Sequence, residues 1–136
     1  MSATNGHVGL VLVSHSDKLA EGLADLVSQV AGPAVAIVTA GGAVDGSLGT
    51  DGGAVLDAIR AAADGAGALV LVDLGSSVLA VRAALAELTD EERELVAVAD
   101  APLVEGAVAA AVAASTGCSL AETRRAAEEA RAVAKF

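Results

Sequence analysis

His15 stands at a break between two apolar patterns. The stretch LVLVSHSDKLAEGL, residues 10–23, opens on four apolar residues, is interrupted by Ser-His-Ser, and resumes with leucines at helical spacing. Imidazole has an ordinary pKa of about 6.5 and is therefore suited to reaction near neutrality. A neutral imidazole attacks through one nitrogen while the other carries a proton, so a carboxylate that binds this N–H would fix the tautomer and stabilise the charged product. His15 is therefore a candidate nucleophile, and Asp73 is its candidate carboxylate.

Glycines and small polar residues accompany these two side chains. The segment DLGSS, residues 73–77, leads into a predicted helix, where exposed N–H groups and the helix dipole favour an anion. The segment GTDGG, residues 49–53, opens another helix, with Thr50 or Asp51 as its cap. We therefore expect a phosphate-handling site. Its candidate residues are His15 and Asp73 for catalysis, Ser14, Ser16, Gly75, Ser76 and Ser77 for phosphate binding, and Gly49, Thr50 and Asp51 as loop contributors.

The elements that position these residues are four short apolar runs separated by helical patterns. The runs are HVGLVLVS, AVAIVTA, GALVLVD and ELVAVA, which begin at residues 7, 34, 67 and 94. Continuous apolar runs are typical of strands buried on both faces. The order βαβαβαβαα predicts an α/β fold with a mainly parallel sheet and helices on both faces. Ligands of such sheets bind beyond the carboxyl ends of the strands. Three candidate loops lie there: residues 14–16, 41–53 and 73–77. His7 precedes the first strand, at the opposite edge, and is expected to be idle.

Local signals delimit the helices. The first helix is expected to bury one apolar stripe: Leu19, Leu23, Leu26, Val27 and Val30. It should end at Gly32, which is followed by proline. A later helix is predicted from about Pro102 to Ser115. Ser119 is expected to cap the last helix, with Glu122 completing a capping box.

Composition sets further bounds. A chain of 136 residues is most simply one domain, residues 1–136. Its formal net charge of −10 argues against nucleic-acid binding and favours partners with a basic face. The single cysteine, Cys118, excludes an internal disulfide and is expected to be a small buried residue near a helix end. Because no signal peptide or membrane-spanning stretch is present, we expect a cytoplasmic protein without membrane contact.

Rival chemistries fit the residues less well. A receiver-type aspartyl phosphate acceptor needs acidic Mg²⁺ ligands after the first strand, where this chain has Ser-His-Ser. A Ser–His–Asp hydrolase fits by residue type, but the G-x-S-x-G motif is missing. Two distant histidines and no cysteine cluster leave too few ligands for a metal site, so no metal is expected. A phosphate-handling histidine and a non-enzymatic regulatory or small-ligand-binding module with an anion site both remain open.

The motifs GLVLVSHSDKLAEGL, GTD, VLVDLGSS and APLVEGAVAAAV resemble the phosphocarrier subunits, DhaM type, of phosphoenolpyruvate-dependent dihydroxyacetone kinases. They are more distantly similar to mannose-type enzyme IIA domains of the sugar phosphotransferase system. The likeness extends from Val8 to about Ala114. It implies a homodimer of a four- or five-stranded, mannose-type enzyme IIA-like α/β domain. By the same resemblance His15 is the phosphorylated histidine, Asp73 its supporting carboxylate, and residues 75–77 the phosphoryl cradle.

The resemblance also implies a reaction sequence. HPr would donate the phosphoryl group to His15, and the group would pass to ADP on a DhaL-type subunit. The ATP formed would phosphorylate dihydroxyacetone held by a DhaK-type subunit. This chain would then be a phosphotransferase subunit with a phosphohistidine intermediate and no cofactor of its own, since Mg-ADP or Mg-ATP would lie on the partner. A mannose-type sugar enzyme IIA is the alternative within the resemblance.

Two departures from the family pattern matter. Some family members carry HPr-like and enzyme-I-like domains downstream, whereas this chain ends at Phe136, so separate carrier proteins are expected. The short GSS loop replaces the longer glycine-rich loop of the mannose-type relatives. Which serine contacts phosphate is therefore open.

Overall fold

A computed structural model describes residues 6–136 and contains one four-stranded parallel sheet in that range. The strands are β1 (Gly9–Ser14), β2 (Ile37–Gly41), β3 (Ala68–Val72) and β4 (Val96–Val98). Their order across the sheet is β2-β1-β3-β4, and each neighbouring pair is parallel. The predicted α/β class and parallel sheet are confirmed.

Helices cover both faces of this sheet. They are α1 (Asp17–Ala31), α2 (Gly52–Ala62), α3 (Gly75–Ala86), α4 (Asp90–Glu94), α5 (Leu103–Ser115) and α6 (Leu120–Glu129), followed by a 3₁₀ turn over Ala130–Ala132. Helices α1, α5 and α6 contribute to the core on one face, and α2 and α3 contribute to the core on the other. None of the helices in residues 6–136 is long and apolar enough to cross a membrane.

Strand β1 forms the centre of both cores because its side chains alternate between the two faces. Leu10 and Leu12 belong to the cluster that α1 and α5 cover, whereas Val11 and Val13 belong to the cluster that α2 and α3 cover. All four side chains are fully buried. The point where β1 leaves the sheet is therefore held from both sides.

The packing of α1 differs in part from the predicted stripe. Leu23 and Val27 are buried as expected, but Leu19, Leu26 and Val30 are 46%, 47% and 39% exposed. The face that meets the sheet consists of residues spaced by three or four: Ala20, Leu23, Val27 and Ala31. Its two alanines let the helix approach the sheet closely. The predicted stripe omitted them because it was based on the larger apolar residues beside them.

Most predicted helix boundaries are confirmed. Gly32 ends α1 with φ +76°, and Ser119 and Glu122 form the capping box of α6. Pro102 is the residue before the first turn of α5. Cys118 lies near a helix end as predicted, in the turn between α5 and α6, but the prediction that it is buried is wrong because it is partly exposed.

His7 lies at the opposite end of the sheet from the candidate loops. Its Nδ1 is 2.6 Å from the carbonyl oxygen of Ala114, near the end of α5. The ring therefore has a structural contact at this end of the molecule, well away from His15.

The strand order creates a crevice between β1 and β3. The chain passes from β1 to β2 on one side and then crosses over β1 to β3 on the other side. Binding sites of open α/β sheets lie at such a switch point, beyond the carboxyl ends of the strands. The loops that follow β1 and β3 open into this crevice, and they carry His15 and Asp73.

Gly41, at the end of β2, lets the beginning of α1 approach the sheet. A Cβ atom at this position would lie 2.8 Å from the Cα of Asp17 and 2.9 Å from the carbonyl oxygen of Ser16. Both contacts are with backbone, so no flexible side chain could move aside. The position of the first turn of α1, which follows His15 closely in the chain, therefore depends on the absence of a side chain at Gly41.

We expect Gly41→Ala to lower the free energy of unfolding by about 1–3 kcal/mol, because the added methyl group collides with backbone. Gly22→Ala is the matched control, since a Cβ atom at this exposed position of α1 meets nothing within 4 Å. That variant should raise the free energy of unfolding by about 0.5–1 kcal/mol. Urea denaturation of both variants measures the difference. A Gly41→Ala protein as stable as the wild type would show that α1 does not press against the end of β2.

Candidate active site

The parallel pairing of β1 and β3 brings His15 and Asp73 together. Val13 pairs with Val72, so both chains leave the sheet at the same level. The imidazole Nδ1 of His15 lies 3.0 Å from Oδ1 of Asp73. The two side chains are 21% and 12% exposed, so the pair is sheltered but reachable from solvent.

The Asp73 carboxylate accepts hydrogen bonds from five donors. Oδ2 accepts from the Ser14 hydroxyl at 2.8 Å and from the backbone N–H of His15 at 3.0 Å. Oδ1 accepts from the Ser77 hydroxyl at 2.8 Å, from the backbone N–H of Leu74 at 2.7 Å and from Nδ1 of His15. The carboxylate therefore ties the end of β1 to the beginning of α3.

These contacts determine the charge of Asp73. Burial raises the pKa of the carboxyl group, but the hydrogen bonds from His15, Ser77 and Ser14 outweigh this effect and hold the pKa well below its ordinary value of 3.8. Asp73 is thus ionised at neutral and mildly acidic pH and can only accept hydrogen bonds. In the neutral form of the His15 ring, Nδ1 consequently carries the proton, and Nε2 has the lone pair.

Nε2 faces the beginning of α3. The Ser76 hydroxyl contacts Nε2 directly, and its residue is exposed. Helix α3 begins at Gly75 after Leu74, and no side chain caps its first turn. The N–H groups of an uncapped first turn attract an anion, so Nε2 points to a place where a phosphoryl group would be stabilised.

The other predicted phosphate-binding serines have partners within the protein. Ser14 is fully buried; its hydroxyl donates to Asp73 and accepts from the backbone N–H of Ser16 at 3.0 Å. Ser16 caps α1 by accepting from the N–H of Leu19 at 3.2 Å. Ser77 is also fully buried and donates to Asp73. Among the serines of the two loops, Ser76 is therefore the one placed next to Nε2 of His15.

The loop between β2 and α2 supports this arrangement from a third side. The backbone N–H of Gly49 donates to the carbonyl oxygen of His15 at 2.9 Å. The hydroxyl oxygens of Thr50 and Ser77 are 3.1 Å apart. Asp51 caps α2 by accepting from the N–H of Gly53 at 3.1 Å. Gly49 and Thr50 are thus close to His15 and its partners, whereas Asp51 stabilises the neighbouring helix.

Two features of the site were not predicted from the sequence. The N–H of Leu74 donates to Asp73, but a backbone donor leaves no signature in the residue type. A cleft beside Asp73 is lined by side chains of the loops after β3 and β4 and by α3, among them Leu74, Arg82 and Asp100. Within residues 6–136, no group of three or more His, Cys, Asp or Glu side chains is placed to hold a metal ion.

The amino-acid sequence of this chain is similar to those of known proteins. The sequence model of the EIIA-man family, described as the PTS system fructose IIA component, matches residues 9–124. The chain is 40% identical over 105 residues to the phosphoryl donor subunit DhaM of PEP-dependent dihydroxyacetone kinase 2 from Listeria innocua, covering 77% of this chain and 84% of that protein.

Longer relatives match over a smaller share of their length. The DhaM subunit of Providencia stuartii is 40% identical over 126 residues, which cover 90% of this chain and 26% of that protein. The Escherichia coli subunit is 40% identical over 116 residues, which cover 83% and 25%. The chain thus spans about a quarter of the length of these two relatives.

Solved structures agree with this assignment. The crystal structure of a protein of unknown function, EF1359, has a TM-score of 0.79 and 35% identity, covering 88% of this chain and 92% of that one. A sigma-54 interaction domain protein from Enterococcus faecalis shares the fold, with a TM-score of 0.63, 17% identity and coverage of 92% and 90%. The resemblance inferred from the motifs is confirmed: the chain belongs to the EIIA-man family of PTS system IIA components, together with the DhaM subunits that it matches.

Proposed function

We propose that this chain is a phosphocarrier of a phosphoenolpyruvate-dependent dihydroxyacetone kinase, and that His15 is the residue that becomes phosphorylated. One observation carries the proposal: Nδ1 of His15 is held by ionised Asp73, while Nε2 faces the uncapped first turn of α3. This geometry suits a nitrogen that accepts and releases a phosphoryl group. The names of the DhaM relatives support the same role.

The transfer is a displacement at phosphorus. The proposed donor, phospho-HPr, carries its phosphoryl group on a nitrogen atom. The Nε2 lone pair attacks the phosphorus atom of this donor. The Nε2–P bond forms as the donor N–P bond breaks, and the donor nitrogen keeps the electron pair. Asp73 stabilises the positive charge that develops on the imidazole through the Nδ1–H bond. The first-turn N–H groups of α3 and the Ser76 hydroxyl, which turns from Nε2 towards the phosphoryl oxygens, stabilise the negative charge.

The second step runs in the opposite sense. A terminal phosphate oxygen of ADP attacks the phosphorus atom on His15, the P–O bond forms, and the Nε2–P bond breaks with its electrons returning to the ring. We propose phospho-HPr as the donor and a DhaL-type subunit carrying Mg-ADP as the acceptor, so this chain needs no cofactor of its own. Its net charge of −10 favours partners with a basic face. We also propose that the chain acts as a homodimer.

Phosphorylation of His15 is tested by incubating the protein with phosphoenolpyruvate, enzyme I and HPr. We expect one phosphoryl group that survives alkali and is lost in acid, and we expect none in His15→Ala. His7→Ala is the matched control, since His7 lies at the far end of the sheet, and this variant should be labelled like the wild type. Mass spectrometry of the intact protein measures the label.

The labelling and discharge results separate the proposal from its alternatives. An absence of label would favour a regulatory or anion-binding module, and a label that persists in His15→Ala would show that another residue is phosphorylated. Discharge of the label on addition of a DhaL-type subunit with Mg-ADP identifies the kinase role. Discharge only with a sugar-specific phosphotransferase partner would identify a mannose-type enzyme IIA instead.

Asp73→Asn should slow phosphorylation of His15 by about 100- to 10,000-fold, because the amide cannot stabilise the developing imidazolium charge. Asp57→Asn removes an exposed carboxylate from the middle of α2 and serves as the control. Rapid-quench labelling with phospho-HPr measures both rates. Equal rates for Asp73→Asn and the wild type would remove Asp73 from the mechanism.

The low pKa of Asp73 also predicts how stability depends on pH. Because this pKa is lower in the folded protein than its unfolded value of about 3.9, the carboxylate stabilises the fold above that pH, and the contribution declines as the pH falls towards the folded pKa. The difference in unfolding free energy between the wild type and Asp73→Asn should therefore be smaller at about pH 3 than at about pH 5. Urea denaturation measures it; a difference that grows from pH 5 to pH 3 would contradict the assigned charge.

A further inference from the structure

We propose that the unphosphorylated chain also hydrolyses esters with a small acyl group, with Ser76 as the nucleophile, His15 as its general base and Asp73 as the carboxylate that orients the imidazole. No step of this reaction involves a phosphoryl group, so the activity does not rest on the proposed phosphocarrier function. Three observations carry it: the order of these side chains, the exposure of Ser76, and two backbone N–H groups without an acceptor.

The three side chains are joined in the order that acyl transfer requires. The Ser76 hydroxyl contacts Nε2 of His15, and Nδ1 of the same ring lies 3.0 Å from Oδ1 of Asp73. In the neutral ring Nδ1 carries the proton, so Nε2 accepts the hydrogen bond of the hydroxyl. Ser–His–Asp hydrolases of unrelated folds share this arrangement, and geometry rather than sequence position identifies it. The G-x-S-x-G motif belongs to one of those folds and is not a requirement of the chemistry.

Ser76 is the serine of this edge that is available for reaction. Ser14 and Ser77 are fully buried, and Ser16 caps α1. Ser76 is exposed, and its hydroxyl has one hydrogen-bond partner within residues 6–136, Nε2 of His15. An ester with a small acyl group therefore reaches the Ser76 oxygen from solvent without breaking a bond that holds the fold together.

The backbone at the beginning of α3 can stabilise the charge that acyl transfer creates. Attack on an ester places a negative charge on the carbonyl oxygen, and backbone N–H groups bind this oxygen in serine hydrolases. The N–H groups of Gly75 and Ser76 have no acceptor in the part of the chain that the structure describes, whereas the N–H of Ser77 donates to the carbonyl oxygen of Leu74 at 3.0 Å. Two donors are thus available on the nucleophile's own residue and the one before it.

Each step of the reaction uses these groups alone. The Ser76 oxygen attacks the carbonyl carbon, its proton passes to Nε2 of His15, and the carbonyl electrons move onto the oxygen. As that intermediate collapses, the C–O bond to the alcohol breaks and Nε2 returns the proton to the leaving oxygen. Water then attacks the acyl group on Ser76 in the same manner, which releases the carboxylic acid and restores the hydroxyl. Asp73 stabilises the imidazolium in both halves.

Phosphorylation and hydrolysis exclude one another at this site. Once Nε2 is bonded to phosphorus, it has no lone pair with which to accept the Ser76 proton. The hydrolytic activity therefore belongs to the unphosphorylated chain, and the phosphorylation state of His15 would control it.

A fluorophosphonate probe tests the nucleophile, because the serine oxygen displaces fluoride and keeps the phosphonyl group. Peptide mass spectrometry should find the adduct on Ser76, and Ser76→Ala should carry none. His15→Ala should slow the labelling of Ser76 by about 100- to 10,000-fold, the effect of a general base. Ser47 is the matched reference within the same chain: it is exposed and its hydroxyl donates to Asp45, but no imidazole contacts it, so it should stay unlabelled.

Hydrolysis of p-nitrophenyl acetate measures the complete reaction and should fall in Ser76→Ala to the rate of free imidazole. An acetyl group found on His15, with hydrolysis unchanged in Ser76→Ala, would show that the imidazole reacts directly and would overturn the proposal. So would the absence of an adduct on Ser76, or equal labelling of Ser47 and Ser76.

Phosphorylation removes the base without a substitution and serves should His15→Ala not fold. After treatment with phosphoenolpyruvate, enzyme I and HPr, the phosphorylated chain should no longer label at Ser76. Full labelling of that form would contradict the role of His15 as the base. A chain that takes up no phosphoryl group would contradict the proposed phosphocarrier function, while the Ser76 adduct and ester hydrolysis would still decide the activity proposed here.

Discussion

The ionised Asp73 carboxylate is the group on which the rest of the site depends. Its two oxygens gather donors from the end of β1, from the imidazole of His15 and from the first residues of α3. Because a carboxylate only accepts hydrogen bonds, the direction of every proton around it is determined. The orientation of the imidazole and the identity of its free nitrogen follow from that one charge.

The sheet makes such a concentration of contacts possible. Strand β1 is packed on both faces, and its in-register pairing with β3 delivers His15 and Asp73 to the same level of the crevice. Protein interiors of this kind are close-packed and transmit displacement. Gly41 extends the same constraint to α1, whose first turn begins two residues after the histidine. The positions of the hydrogen-bonding atoms are thus a consequence of how closely the elements pack.

Strand positions and the edge at which His15 and Asp73 meet could be predicted because continuous apolar runs identify central parallel strands, whose carboxyl ends share one edge. The buried face of α1 could not, because Ala20 and Ala31 carry little hydrophobic signal although close packing selects them. The roles of the individual serines could not be predicted from residue type either. Ser76 and Ser77 are neighbours in sequence, but successive helical residues point about 100° apart, so one is exposed beside Nε2 and the other is buried against Asp73.

For the proposed carrier, the strength of phosphate binding has to be moderate, since the group must leave as readily as it arrives. A helix N-terminus stabilises an anion by about 0.3–1 kcal/mol at an exposed position. A hydrogen bond from the Ser76 hydroxyl to a charged phosphoryl oxygen is worth about 1.5–3 kcal/mol. Both interactions stabilise the negative charge of the transferring group, but neither makes the phosphorylated state so stable that the group could not leave. The strong interactions are placed on the other side of the ring, between Nδ1 and Asp73, where they act on the nucleophile in both directions of transfer and leave the phosphoryl group accessible to its next acceptor.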